Sequence, residues 1–392
     1  MPVLSALRLT RRPAYGFAVI GFLWGSFAAQ LPVIKSALGV DDTVFGLLFL
    51  GTALGLLSTI WLAPLFDRLL HRRALPLAAL LVASAFLLPG LVTQPALFLG
   101  VMTLLGLTSG LLDVVVNARV SEREAVTNRS LMNANHGVFS LAYAAAAILT
   151  GLGRELGLPP AAIFAGFWLL IVVMSTRMAM DPTPVGAAER RAQGGFPWPI
   201  VLIGGGIVLV AFFVEATVES WSAIHIERSL GGRAAEGAFG PAVLGLTMAL
   251  GRFSGQVIAG RFSEISVIIL GALMAAAWAL IAAAAATPGT AYLGFGTMGL
   301  GISVVGPMGL ALVGRLVRPG RRTAAVARAA VIGFMGFMAA PAVMGLISGA
   351  FGLRLAYVAV AALALIGPVL ALLIRVRFQA QLPSKSAGTS RL

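Results

Sequence analysis

The sequence predicts an all-α membrane protein, with twelve transmembrane helices in two six-helix bundles. Three observations carry that prediction. Hydrophobic residues make up 59% of the 392 and charged residues only 11%, against about 25% charged in soluble domains. Apolar runs long enough to cross roughly 30 Å of hydrocarbon recur twelve times along the chain. The basic residues also crowd into alternate connections between those runs. The crossings must be helices, because lipid offers the backbone no hydrogen-bond partners, and alternating ten-residue strands of a membrane barrel are missing.

The net charge of +14 is no sign of nucleic-acid binding, because it sits in short clusters between apolar runs. With no cysteine, and with His71, His136 and His225 far apart, no disulfide, metal site or cofactor is expected.

In chain order, the spans are expected near 14–34, 44–65, 74–93, 96–118, 131–152, 160–180, 198–222, 239–260, 266–286, 290–313, 324–349 and 353–375. Arg8, Arg11 and Arg12 precede the first run as in a signal peptide. The run is too long for one, and more spans follow, so the first helix is read as uncleaved. If the N-terminus is cytoplasmic, 22 of the 28 Lys and Arg fall on the cytoplasmic side, including Arg68, Arg72, Arg73, Arg119, Arg123, Arg315, Arg318, Arg321 and Arg322. The opposite side receives Lys35, Arg154, Arg228, Arg233 and Arg354, and Arg252 remains inside a span. Both termini are therefore expected on the cytoplasmic side of the membrane. Residues 181–197 form the longest polar stretch between spans and read as a linker between bundles 1–180 and 198–377, with a tail at 378–392. Matched bundles of this kind are the plan of secondary transporters.

A charge within the bilayer costs about 2.5–3.5 kcal/mol on insertion scales, so it needs a partner or a wet cavity. The residues that qualify are Asp113, His136, Glu215, Glu219 and Arg252. Asp113 and Asn117 share one face of the fourth span, extended by Ser109. They suit a cavity carboxylate that binds a proton or a hydroxyl, or a structural pair tying two helices. Asn133, His136, Ser140 and Tyr143 fall within about 80° of the fifth helix. Asp113 and His136 lie at similar depth, which makes a hydrogen bond between them geometrically reasonable; the competing reading is a packing histidine. Glu215 and Glu219 stand four apart on the seventh span. Mutual repulsion favours a retained proton on one of them, although Glu219 sits close enough to the outer end to be simply solvated. Arg252 either pairs with an acid such as Glu215 or snorkels to the cytoplasmic face. Trp24 and Trp221 suit stacking on a sugar ring or interfacial anchoring.

The loop Ala63-Pro-Leu-Phe-Asp67-Arg68-Leu-Leu-His71-Arg72-Arg73 resembles the signature loop of the major facilitator superfamily, with Ala63 and Leu70 in place of its two glycines. After the eighth span, Gly260-Arg261-Phe262 keeps only the arginine. The resemblance covers the whole chain and implies the major facilitator fold. A narrower resemblance, to the fucose-permease-like branch, rests on Gly110–Asn117, Leu131–Ser140 and Glu215–Ser222. Fucose permease has an aspartate on its first helix, whereas this first helix reads Trp24-Gly-Ser26-Phe-Ala-Ala-Gln30-Leu-Pro32.

These readings together give a secondary active transporter, not an enzyme. The resemblance implies a small polar, sugar-like solute taken up by symport with protons through alternating access; an exporter of drugs or metabolites by proton antiport is the alternative. Asp113, Glu215 and His136 are the expected proton-coupling residues. Asn117, Asn133, Glu219, Gln30, Trp24 and Trp221 are the expected substrate contacts. Asp67, Arg68, Arg72 and Arg252 are the expected gate. The expected partners are the solute, protons and the bilayer, with the protein as a monomer. Gly294-Phe-Gly296-Thr-Met-Gly299 lies inside an apolar span with no preceding strand and is no dinucleotide site. The pairs Gly51/Gly55, Gly106/Gly110, Gly251/Gly255 and Gly345/Gly349 are expected at close helix crossings.

Overall fold

A computed structural model describes residues 3–182, 195–258 and 262–378. The first six crossings are built from α1 (Val3–Leu9), α2 (Arg11–Leu38), α3 (Asp42–Leu48), α4 (Leu50–Leu70), α5 (Ala74–Ala85), α6 (Pro95–Thr127), α7 (Met132–Glu155) and α8 (Pro160–Ser175). The last six are built from α9 (Trp198–Ile224), α10 (Ala234–Ile258), α11 (Glu264–Ala284), α12 (Pro288–Leu316), α13 (Arg322–Phe351), α14 (Leu353–Ala364) and α15 (Ile366–Arg377). Ten segments among the described residues are long and apolar enough to cross a membrane. One of these, Asp42–Gly90, reverses at His71, whose φ is 45°, and crosses twice; Pro160–Ser175 adds a shorter apolar helix. The result is the twelve-helix architecture the composition requires. Both described ends, Val3 and Phe378, lie on one face, called here the basic face; the opposite one is the far face. The linker and tail expected from the sequence fall largely on 183–194 and 379–392, outside the described residues.

Within the first six crossings α2 packs on α7, α4 on α6, and α5 on α6 and α8. Within the last six α9 packs on α13 and α12, α11 on α12 and α14, and α10 on α12. The two sets meet where α7 lies along α10, α2 touches α9, and α3 touches α13. Small residues make these approaches possible. A Cβ on Gly106 of α6 would run into the Thr52 carbonyl of α4, and one on Gly55 into the Thr103 carbonyl of α6. Between the sets, Gly46 of α3 faces Pro341 and Gly345 of α13 in the same way. Backbone cannot yield as a flexible side chain can, so Gly106→Ala is expected to lower stability by about 1–3 kcal/mol. A fall in the detergent unfolding midpoint measures it, and an unchanged midpoint would show that α4 and α6 separate freely.

Several boundaries differ from the sequence reading, for identifiable reasons. Residues 119–127 were expected in a loop but continue α6, which Asn128 terminates in the left-handed conformation (φ 51°). Arg119 is thereby carried inside, 1% exposed, and paired with Asp67 and Glu122. Glu124 accepts the Leu131 and Met132 amides at 2.6 and 2.9 Å, holding the start of α7. The seventh crossing runs on past residue 222 into a π-helical turn, His225–Ser229. Span 12 bends at Leu365, between α14 and α15.

Candidate functional site

α7, α9 and α10 bring their polar side chains together in mid-crossing. Glu215, only 7% exposed, accepts a hydrogen bond at 3.0 Å from Nη2 of Arg252. The other guanidinium nitrogen of Arg252 donates to Oγ of Ser140, and the group lies 5.8 Å from the Phe139 ring centre. One arginine from the second set thus holds an acid of its own set and a serine of the first. Sequence reading left Arg252 open between pairing and snorkelling, and the structure gives the pair. The contact is possible because Gly245 lets α10 lie against the Ser140 carbonyl and the Tyr143 ring, where a Cβ would be crowded at 3.0 Å.

Glu219, one turn beyond Glu215, is half-buried and accepts no hydrogen bond from any described residue. It is not a solvated helix-end acid, because ten more helical residues follow it. Tyr143 lies within electrostatic reach of both acids, and its hydroxyl is buried without a hydrogen-bond partner among the described residues. On α2, Gln30 is fully buried; its Nε2 donates to Ser26 Oγ at 3.3 Å while its Oε1 has no donor among the described residues. Thr150 of α7 donates to the same Ser26 oxygen at 2.8 Å.

The expected Asp113–His136 hydrogen bond is not formed. Asn117 Nδ2 donates to Asp113 Oδ1 at 2.9 Å and to its carbonyl at 2.8 Å, so the pair closes on its own helix. The His136 ring turns to the edge of Phe17 instead, with ring centres 4.9 Å apart. Both side chains stay half-buried, as does Asn133. Trp221 is corrected too: it is fully buried and edge-on to Phe45 at 6.1 Å, closed to any sugar face in this conformation. Trp24 is half-buried among Phe27 and Phe86.

The expected gate of Asp67, Arg68 and Arg72 is not assembled. Asp67 pairs with Arg119 of its own set, while Arg68 and Arg72 are exposed and form no ion pair with described residues. Arg68 stands in the last turn of α4 and Arg72 just past the reversal at His71, both on the exposed surface. Gly260 and Arg261 of the second loop lie outside the described residues.

Sequence reasoning missed the polar links between the sets at the far face. Glu227 accepts both guanidinium nitrogens of Arg154, at 2.7 and 2.9 Å, and Arg154 also donates to the Ala29 carbonyl at 2.7 Å. Arg228 donates to both oxygens of Asp42, at 2.5 and 2.6 Å, while Lys35 stands 3.1 Å from the same acid and Ser348 donates to it. Glu155 accepts the Ala235 amide at 3.1 Å. The only available signal was that opposite charges occupy the ends of different spans on one side, and that does not pair them.

The comparisons with known proteins agree with this architecture. Residues 205–390 match the family model of the Major Facilitator Superfamily. An uncharacterised transporter of the major facilitator type from Yersinia pestis is 29% identical over 89% of this chain and 91% of its own length. An uncharacterised transporter from Sinorhizobium fredii is 25% identical over 92% and 97%, and membrane protein MosC of Rhizobium meliloti 24% over 87% and 84%. Among solved structures, a bacterial homologue of the human lysosomal transporter Spinster, inward-facing and occupied, aligns with a TM-score of 0.77 at 15% identity over 98% of this chain and 100% of that one. The nucleoside transporter NupG aligns with a TM-score of 0.67 at 14% identity over 96% and 100%. At such identities the structures speak for the fold alone. With this fold over its whole length, the family match in its C-terminal half and relatives of the same type along nearly all of it, the chain is similar throughout to transporters of the major facilitator superfamily.

Proposed function

We propose that this transporter carries a small polar, sugar-like solute across the bacterial inner membrane in symport with protons. Its termini are cytoplasmic in this reading, and residues 1–180 and 198–377 rock as two bodies. The observation that supports it is the Glu215–Arg252–Ser140 link. An ion pair this deep holds only while both members are charged. A proton on Glu215 removes the attraction, frees Arg252, and loosens the contact of α10 with α7 between the two sets. The charged and titratable groups around that event are Glu219 on α9, Arg252 on α10, and Tyr143 on α7. His136 of α7 lies within electrostatic reach of Arg252. Asp113 is the second proton-accepting candidate, since its carboxylate receives only a neutral amide.

Purified protein in vesicles with an imposed pH gradient tests the reading against a panel of sugars and polyols. Gradient-driven accumulation is expected for wild type and should fall at least about tenfold in Glu215→Gln, with facilitated exchange retained. Asp113→Asn separates the two acids, because unchanged accumulation there removes Asp113 from the pathway. Efflux accelerated by an inward proton gradient would instead support the antiport alternative.

A further inference from the structure

The charge balance of the mid-crossing cluster identifies what the solute brings. Two carboxylates, Glu215 and Glu219, share this region with one guanidinium, Arg252. Glu215 uses that guanidinium as its hydrogen-bond partner. Glu219 accepts no hydrogen bond from a described residue, and the Arg252 charge that acts on it is already paired with Glu215. The Tyr143 hydroxyl on α7 is buried, has no hydrogen-bond partner among the described residues, accepts as well as donates, and lies within electrostatic reach of both acids. Its helix packs along α10, the helix that carries Arg252. A neutral sugar would satisfy the hydrogen bonds and leave the carboxylate uncompensated. An acid would add repulsion. A protonated amine supplies three N–H donors and the missing positive charge together.

Building on the transport reading above, we propose that the solute is a small hydroxylated amine, with its ammonium seated on Glu219 and one of its remaining donors met by the Tyr143 hydroxyl. Glu215 then remains free for the coupling proton, so each cycle of symport moves two positive charges.

The test uses the full chain in lipid nanodiscs with three probes on one scaffold: glucosamine, glucose and glucuronate. Glucosamine is expected to bind at least about tenfold more tightly than glucose near neutral pH, and glucuronate more weakly than either. Glu219→Gln should erase the preference for the amine, and Glu219→Asp should keep it, which guards against a variant that simply misfolds. Equal or better binding of glucose or glucuronate, a preference unchanged in Glu219→Gln, or no binding of any probe would each overturn the inference. Vesicle uptake separates this failure from failure of the transport reading. Gradient-driven uptake of glucose without amine preference sinks only the amine. Amine binding with no response of uptake to the gradient sinks only the proton coupling.

Discussion

Replacing Arg252 with alanine is expected to abolish gradient-driven accumulation and to destabilise the protein measurably. Among the described residues the guanidinium is the one group that compensates Glu215, which is 7% exposed, and it also reaches Ser140 on the other set. Removing one member of a buried pair leaves a bare charge and typically costs about 3–5 kcal/mol. The unfolding midpoint should therefore drop sharply, and accumulation should fall by about a hundredfold or more. Arg252→Ala combined with Glu215→Gln should recover most of the stability, because no buried charge is stranded, but none of the coupling. Lysine at 252 should rescue poorly, since one ammonium cannot place two donors as the planar guanidinium does. Wild-type stability and accumulation in the alanine variant would remove this pair from the centre of the mechanism.

The second large effect is expected at the far face. Glu227 and Arg228 are adjacent in sequence, yet the π-helical turn His225–Ser229 sends one to Arg154 on α7 and the other to Asp42 on α3. Such turns recur at functional positions because the extra residue re-aims the side chains around it. Two neighbouring residues of one crossing thus fasten two helices of the other set. Breaking one pair should shift the balance between closed and open far faces by about tenfold, and breaking both by about a hundredfold. The chain contains no cysteine, so a single one at Ala238, buried against Gly151 where α7 meets α10, reports the change. Labelling by a membrane-impermeant maleimide should accelerate in Glu227→Gln, again on adding Asp42→Asn, and return toward wild type when Arg154→Glu is combined with Glu227→Arg. Equal labelling rates in all four proteins would mean that packing alone, through contacts such as Gly46 with Gly345, closes that face.

The link between the sets at mid-crossing was half legible in the chain. An arginine in the middle of an apolar run has few affordable states, and the sequence left two of them open for Arg252, a pair with an acid such as Glu215 or a snorkelling reach to the cytoplasmic face; the structure has the pair, at 3.0 Å. The third member, Ser140, was legible only as part of a polar stripe on α7. Reading Asp113 with His136 failed because equal depth does not fix the rotation of two helices about their axes, and Asn117 offered the acid a nearer partner. Reading Asp67 with Arg68 and Arg72 failed because sequence neighbours were taken for spatial ones. Both arginines lie on the exposed surface, while α6 ran nine residues farther than expected and delivered Arg119 to Asp67.

By itself the sequence determined the number of crossings, their helical nature and which connections share a side. Those follow from one-dimensional requirements: hydrocarbon thickness, satisfaction of every backbone group along a run, and exclusion of charge from lipid. Tertiary structure alone decided which acid meets which base, that Trp221 is sealed against Phe45, and that Glu227 and Arg228 fasten different helices. The physical reason is that an ion pair depends on distances of about 3 Å between side chains on different helices. Those distances are set by helix rotation, by glycine-permitted approach and by a single π-helical turn, and none of these leaves a period in the sequence.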